Sequence, residues 1–301
     1  MWKGVTHPPH STETCKINGK AAKVQVFTKD VHGDIYCDYC VLTATGVSLP
    51  LTVSINSVER VYTDTNDLET VGEYDLVAMT LFKDDESLIS SYVEHHRTLG
   101  VQRFFMYYNG TKDIDSLPQM PDVVYVPWRY PYMISSNKIG MHYAQIGAMT
   151  DFLHNAKHFS KYVLYNDLDE FISWSNADVS LAQYVIDNDE SCYGFRNLFV
   201  TLPDEHNFPS DRLHVFIREG RFTKSEKIWD FGERSKCIVK AADVDSMGVH
   251  KVISPRGIKA HVMNADTSVL LHVALMKGRQ HVTVTPRTFS PLPLKGAVAK
   301  A

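Results

Sequence analysis

Hydrophobic positions divide this chain into two stretches with different periods. Residues 1–72 carry short β-like runs, Ala22–Thr28, Ile35–Leu42 and Leu51–Val58, broken by Gly, Asn, Asp and Pro, with no helical period. They predict a small antiparallel β-rich region, and Val61–Gly72, rich in Thr, Asp and Asn, reads as a linker. From Tyr74 onward the pattern alternates. Leu76–Phe82 is an apolar strand. Asp84 or Asp85 can cap a following helix that runs to Leu99 and stops at Gly100, with Leu88, Ile89, Tyr92, Val93, His96 and Leu99 at helical spacing. His95 and His96 read as packing and surface residues. Arg103–Asn109 and Val123–Trp128 are further strands, Lys138–His158 a long helix, and Tyr162–Leu168 a strand. Gly194–Thr201, Leu213–Arg218, Ser235–Val239 and Met247–Val252 complete the set. Strands alternating with helices predict a mostly parallel α/β sheet over 73–290, with 291–301 as a tail.

The strand at Tyr162 runs directly into Asp167 and Asp169, followed by Glu170. Open α/β sheets present ligand groups at the carboxyl ends of their strands. Two carboxylates there can share Mg²⁺ or Mn²⁺ with substrate phosphates, which points to glycosyl or phosphoryl transfer. The spacing alone is weak, because Asp-x-Asp also occurs at Asp113/Asp115, Asp187/Asp189 and Asp243/Asp245. Only Asp167/Asp169 follows a β-rich apolar run and precedes Phe171 and Ile172.

Composition narrows the choice. With 301 residues, 44% hydrophobic and 22% charged, the chain is ordinary globular protein. A net charge of −4 and the lack of a dense Lys/Arg cluster argue against nucleic acid. No apolar run reaches bilayer length, and the first ten residues lack a signal-peptide core, so the chain as given reads as soluble and cytoplasmic. Five cysteines are too few and too uneven for a disulfide framework; Cys37 and Cys40 form a lone CxxC, read as free thiols or one local disulfide.

Phe82-Lys-Asp-Asp-Glu-Ser-Leu, then Tyr92-Val-Glu-His-His-Arg-Thr-Leu-Gly-Val-Gln-Arg-Phe-Phe-Met-Tyr-Tyr-Asn109, resembles the opening of glycosyltransferase family 92. Gln145 and Asn166-Asp-Leu-Asp-Glu-Phe171 stand where that family has its next helix and acidic strand, and Arg234–Val239 and Met247–His250 resemble later elements. The likeness spans about residues 74–275 and departs from the family pattern at His272.

The resemblance implies a GT-A fold and an enzyme that moves galactose or a related hexose from a UDP-sugar to a glycan hydroxyl, with Mn²⁺ or Mg²⁺ and with inversion. Family members are often Golgi membrane proteins. Asp167 and Asp169 would hold the metal, with a histidine as third ligand, His250 first and His272 second. Glu170 would fix a neighbouring group. Lys83, Glu86, Asn109 and Gln145 would border the nucleotide, and Lys236 and Arg234 would neutralise the diphosphate. The general base would be Asp230 or Glu233, beside Trp229 as a sugar-stacking surface, with Asp204 and Glu205 as rivals. A phosphohydrolase using the acidic pair, or a glycan-binding relative without catalysis, are the alternatives.

Overall fold

The computed structural model describes residues 15–31, 34–55, 58–62, 72–129, 134–136, 139–141, 143–202, 210–255 and 257–273. Contacts divide the chain into two units, Met1–Val71 and Gly72–Ala301. The first is antiparallel β structure. Cys15–Ile17, Lys20–Ala21, Leu51–Ile55 and Val58–Tyr62 form one sheet, and Lys23–Val31 with Asp34–Thr43 forms a long hairpin. Most of the expected linker and all of the expected tail lie outside the described residues, as do Asp204 and Glu205. Cys15, Cys192 and Cys237 are buried.

The second unit is mixed α/β. The strands of its two larger sheets, in chain order, are β1 (Tyr74–Phe82), β2 (Arg103–Tyr108), β3 (Val123–Pro127), β4 (Ser160–Tyr165), β5 (Glu170–Trp174), β6 (Cys192–Phe195), β7 (Asn197–Thr201), β8 (Thr223–Trp229), β9 (Lys236–Lys240), β10 (His261–Val262) and β11 (Ser268–Val273). Its helices are α1 (Ile89–Thr98), α2 (Tyr143–Ala156), α3 (Leu181–Asn188) and α4 (Leu213–Arg218). A seven-stranded sheet has the order β10-β6-β9-β4-β1-β2-β3, and β4, β1, β2 and β3 run parallel. A second sheet has the order β5-β11-β7-β8. The chain leaves β1 in one direction, to β2 and β3, and returns on its other side as β4. The carboxyl ends of β1 and β4 therefore flank a topological switch point, where open α/β sheets open a crevice.

Helix α1 forms because Ile89, Tyr92, Val93 and His96 fall on one buried face. It stops at Gly100, whose φ of 96° favours glycine. A Cβ there would also meet Ala182 of α3 at 2.6 Å, so two constraints select glycine.

Several expectations need correction. Leu213–Arg218 is a helix: its apolar residues suggest a strand, but Leu213 and Ile217, one turn apart, share the buried face. Gly194–Thr201 divides at Arg196, with β6 in the large sheet and β7 in the other. Met247–Val252 is the tip of a small hairpin between Ser246–Met247 and Val252–Ser254. The long helix starts at Tyr143, since Ile139–Met141 pairs with Ile134–Ser136 instead. Asp85 heads a 3₁₀ turn (Glu86–Leu88) without a side-chain cap, and Asp84 has a φ of 61°.

His95 and His96 are both buried, so neither is a surface residue. His95 donates from Nε2 to the Ile172 carbonyl at 2.8 Å and meets Phe171 edge-on. Burial, with the nearby charge of Arg218 adding to it, pushes the ring down to about 4. The unfolded chain thus gains the proton first as pH falls. This group's contribution is complete above pH 6.5 and is lost progressively as pH drops towards 4. Denaturant melts of wild type and His95→Gln at pH 7.5 and 4.5 will show wild type losing about 3 kcal/mol more than the variant between the two. Equal losses would refute the assignment.

Candidate active site

Strand β4 ends in Tyr165 and the chain turns through Asn166–Asp169 into β5. The turn is held from behind by α1. Tyr92 donates its hydroxyl to Asn166 Oδ1 at 2.6 Å, and Asn166 Nδ2 donates to the Glu170 carbonyl at 2.8 Å. Nδ2 also meets His96 Nε2 at 3.2 Å, while His96 Nδ1 donates to the Tyr92 carbonyl, which fixes the ring tautomer. Sequence reasoning missed this network. Its signal was a pair of polar groups, Tyr92 and His96, four residues apart on the buried face of a helix.

Beyond the network lies a cluster of charges. Asp167 Oδ2 accepts from Lys236 Nζ at 2.8 Å and Oδ1 from Gln145 Nε2 at 3.2 Å. Glu170, with a side chain only 2% exposed, accepts from the Asp167 backbone at 2.9 Å and lies 3.6 Å from Lys236. On the other side His272 Nε2 stands 3.2 Å from Asp169 Oδ2, and its Nδ1 is 3.5 Å from Glu170 Oε1. Asp169 also accepts the Val273 amide at its carbonyl, 2.8 Å, which ties the turn to β11.

Three carboxylates face one ammonium here, and the protonation behaviour reflects the excess. Burial, reinforced by Asp167 and Asp169, raises Glu170 to about 7 despite Lys236. Burial alone would depress His272, but the hydrogen bond and charge of Asp169, with Glu170 and Asp167 behind it, raise it above its ordinary value. Lys236 is likewise opposed by burial and is held charged by Asp167 and Glu170.

The structure brings Gln145, Asp167, Asp169, Glu170, Lys236 and His272 together. The other expected residues are engaged elsewhere. Glu86 accepts from Tyr108 at 3.0 Å and pairs with Lys112 at 3.2 Å; Lys83 is exposed; Asn109 donates to the Trp128 carbonyl. His250 donates from Nδ1 to the Ser235 carbonyl at 3.0 Å and senses Asp167 as a nearby charge. Asp230 and Glu233 are exposed in a turn after β8, with Glu233 3.9 Å from Lys227. The Trp229 ring is covered by Lys227 at 3.4 Å and flanked by Arg234 at 5.1 Å, and Arg234 also lies over Phe199, which stacks on His272. The other Asp-x-Asp pairs hold structure elsewhere: Asp113 accepts from Asp115, Asp187 from Gln183, and Asp189 and Asp243 from Tyr162 and Ser191.

Among the described residues no three His, Cys, Asp or Glu side chains gather as a complete metal-binding set. None of their helices is long and apolar enough to cross a membrane.

A mixed α/β domain whose central parallel strand ends in a carboxylate-rich turn at a switch point is of the class of open α/β proteins that bind ligands at strand ends. Within that class the chain belongs to glycosyltransferase family 92, whose model matches residues 77–293. Membership implies a glycosyltransferase acting on sugars and glycans. No curated protein matches the chain.

Proposed function

We propose that this protein transfers a hexose of the galactose type from a UDP-sugar to a glycan hydroxyl, with inversion, using a GT-A-type site and Mn²⁺ or Mg²⁺. The observation that carries the metal is the Asp169–His272 pair. Adjacent donors on an octahedral cation with bonds of about 2.1 Å stand about 3 Å apart, and the pair is separated by 3.2 Å. His272 Nδ1 is buried without a hydrogen-bond partner and faces Glu170 at 3.5 Å. A carboxylate behind the second ring nitrogen is what a metal-bound imidazole would call on to fix its orientation. The cation would be held by Asp169 and His272, with donor phosphate oxygens completing its shell, and would stabilise charge on the departing diphosphate. The expected His250 is replaced by His272 in this reading.

Lys236 and Gln145 hold Asp167 at the mouth of the site, where its exposed edge can meet the nucleotide. With both oxygens engaged, Asp167 makes a poor nucleophile, which disfavours the phosphohydrolase reading. Glu170 orients His272 and the Asp167 backbone. Thermal shifts measured with a panel of nucleotide sugars, with and without Mn²⁺, test the proposal: a UDP-hexose must stabilise the protein selectively and only with metal. Stabilisation that ignores Mn²⁺ or the base would sink it.

For the base, Glu233 is paired with Lys227, whereas Asp230 carries no ion pair among the described residues. Asp230→Asn will lower kcat by about 10²–10⁴-fold with little change in donor KM, while Glu233→Gln keeps most activity. The opposite ranking in steady-state kinetics would move the base to Glu233.

A further inference from the structure

A cavity of about 500 Å³ lies away from the acidic turn, between the end of α1, strand β5, the loop leading to α3, the end of α4 and the start of β8. Its volume suits a small organic molecule, since such sites run from about 300 to 1,000 Å³. Leu99, Trp174, Ile217 and Phe222 supply apolar and aromatic wall. Two cations, Arg218 and Lys224, also line it, and among the described lining residues there is no Asp or Glu. Neither cationic head group makes a hydrogen bond or ion pair among the described residues. Lys224 is half-buried, and burial lowers its affinity for its proton without any compensating partner.

This combination is unusual on physical grounds. A charged group taken partly out of water is normally paired, and Lys224 is not, while Arg218 stands exposed at the rim. On the same molecule the buried Lys236 is paired with Asp167 and the half-buried Lys157 with Asp245. Two unpaired cations at the rim of an apolar chamber leave one complementary shape: an aromatic or aliphatic body bearing an anionic head. We propose that this cavity is a binding site for a small amphipathic anion, with Arg218 and Lys224 holding the carboxylate, sulfonate or phosphate and Trp174 and Phe222 enclosing the apolar body. The site is separate from the acidic turn and does not depend on the reading of that turn. None of its lining residues is shared with the small cleft beside Asp167 and Lys236.

Anilinonaphthalene sulfonate is a suitable probe, because it pairs an aromatic body with one fixed negative charge, and phenylnaphthylamine is its neutral counterpart. Fluorescence titration of the folded protein will show one saturable site for the sulfonate and binding weaker by about tenfold or more for the neutral compound. The double variant Arg218→Ala/Lys224→Ala will weaken sulfonate binding by a similar factor. Ala177 is an exposed lining residue, so Ala177→Trp should obstruct the chamber without disturbing the core. It will abolish binding of both compounds while circular dichroism and the melting temperature stay as in wild type. UDP with Mn²⁺ will not displace the probe. Absence of a saturable site, equal affinity for the charged and neutral compounds, or unchanged binding in both variants would overturn the proposal.

Discussion

Asp169→Asn will lower metal-dependent sugar transfer by roughly a thousandfold while the protein keeps its fold, the loss expected when Lewis-acid stabilisation worth several kcal/mol disappears. The variant removes the proposed anionic ligand but not the shape of the turn. Asp169 anchors β5 to β11 through its backbone carbonyl, 2.8 Å from the Val273 amide, and that bond survives the substitution. His272→Ala will produce a comparable loss, since its Nε2 is the other donor of the pair. Asp167→Asn will behave differently. Its carboxylate is held by Gln145 and Lys236 rather than by His272, so its loss will fall mainly on donor binding and raise KM. The discriminating measurement is a Mn²⁺ titration of initial rates. Asp169→Asn and His272→Ala will need far more metal, or will not respond, whereas Asp167→Asn will keep a metal response near that of wild type. If Asp169→Asn keeps the wild-type metal requirement, Asp169 and His272 are not its ligands.

The proposed division of labour between Asp167 and Asp169 was not legible in the sequence. The acidic pair was, because an apolar β-rich run ending in carboxylates is a local pattern. The parallel strands β1, β2, β3 and β4 were legible for the same reason, being continuous apolar runs of a buried sheet. What escaped was set by distant partners. Strands β5, β8 and β11 were not recognised, and β11 is a six-residue strand whose identity depends on lying between β5 and β7. His272 therefore could not be placed, although its cross-strand partner is Glu170 itself. His250 looked favourable because it ends an expected strand after Ser246-Met-Gly-Val, yet the backbone of Ser235 claims its Nδ1. Leu213–Arg218 misled in the opposite sense. Six residues with two β-branched members are too short for a period to show, and only burial of Leu213 and Ile217 decides for helix.

Lys236→Met will be the most damaging single change to stability in this unit, costing about 3–5 kcal/mol, because breaking a buried ion pair strands a charge. The Lys236 side chain is 3% exposed, and Glu170 beside it is 2% exposed. Without the ammonium, Glu170 faces Asp167 and Asp169 with no cation other than His272 nearby. The size of the loss should therefore depend on Glu170 and not on the volume of the lysine, which methionine largely replaces. Glu170→Gln alone will cost much less: it leaves Lys236 paired with Asp167 at 2.8 Å and keeps an oxygen able to accept the Asp167 amide. In the double variant Lys236→Met/Glu170→Gln, neither buried charge remains, and the more exposed Asp167 can turn to water. Urea melts of the four proteins form a cycle, and the double variant will recover a large part of the stability lost in Lys236→Met, a coupling of about 1–3 kcal/mol. Additive losses would mean that Lys236 acts through packing alone. The same cycle bears on chemistry, because a turn that needs a buried lysine to offset its carboxylates is built around excess negative charge. In the proposed reaction, a divalent cation arriving with a diphosphate would offset that charge at the solvent side as Lys236 does from within.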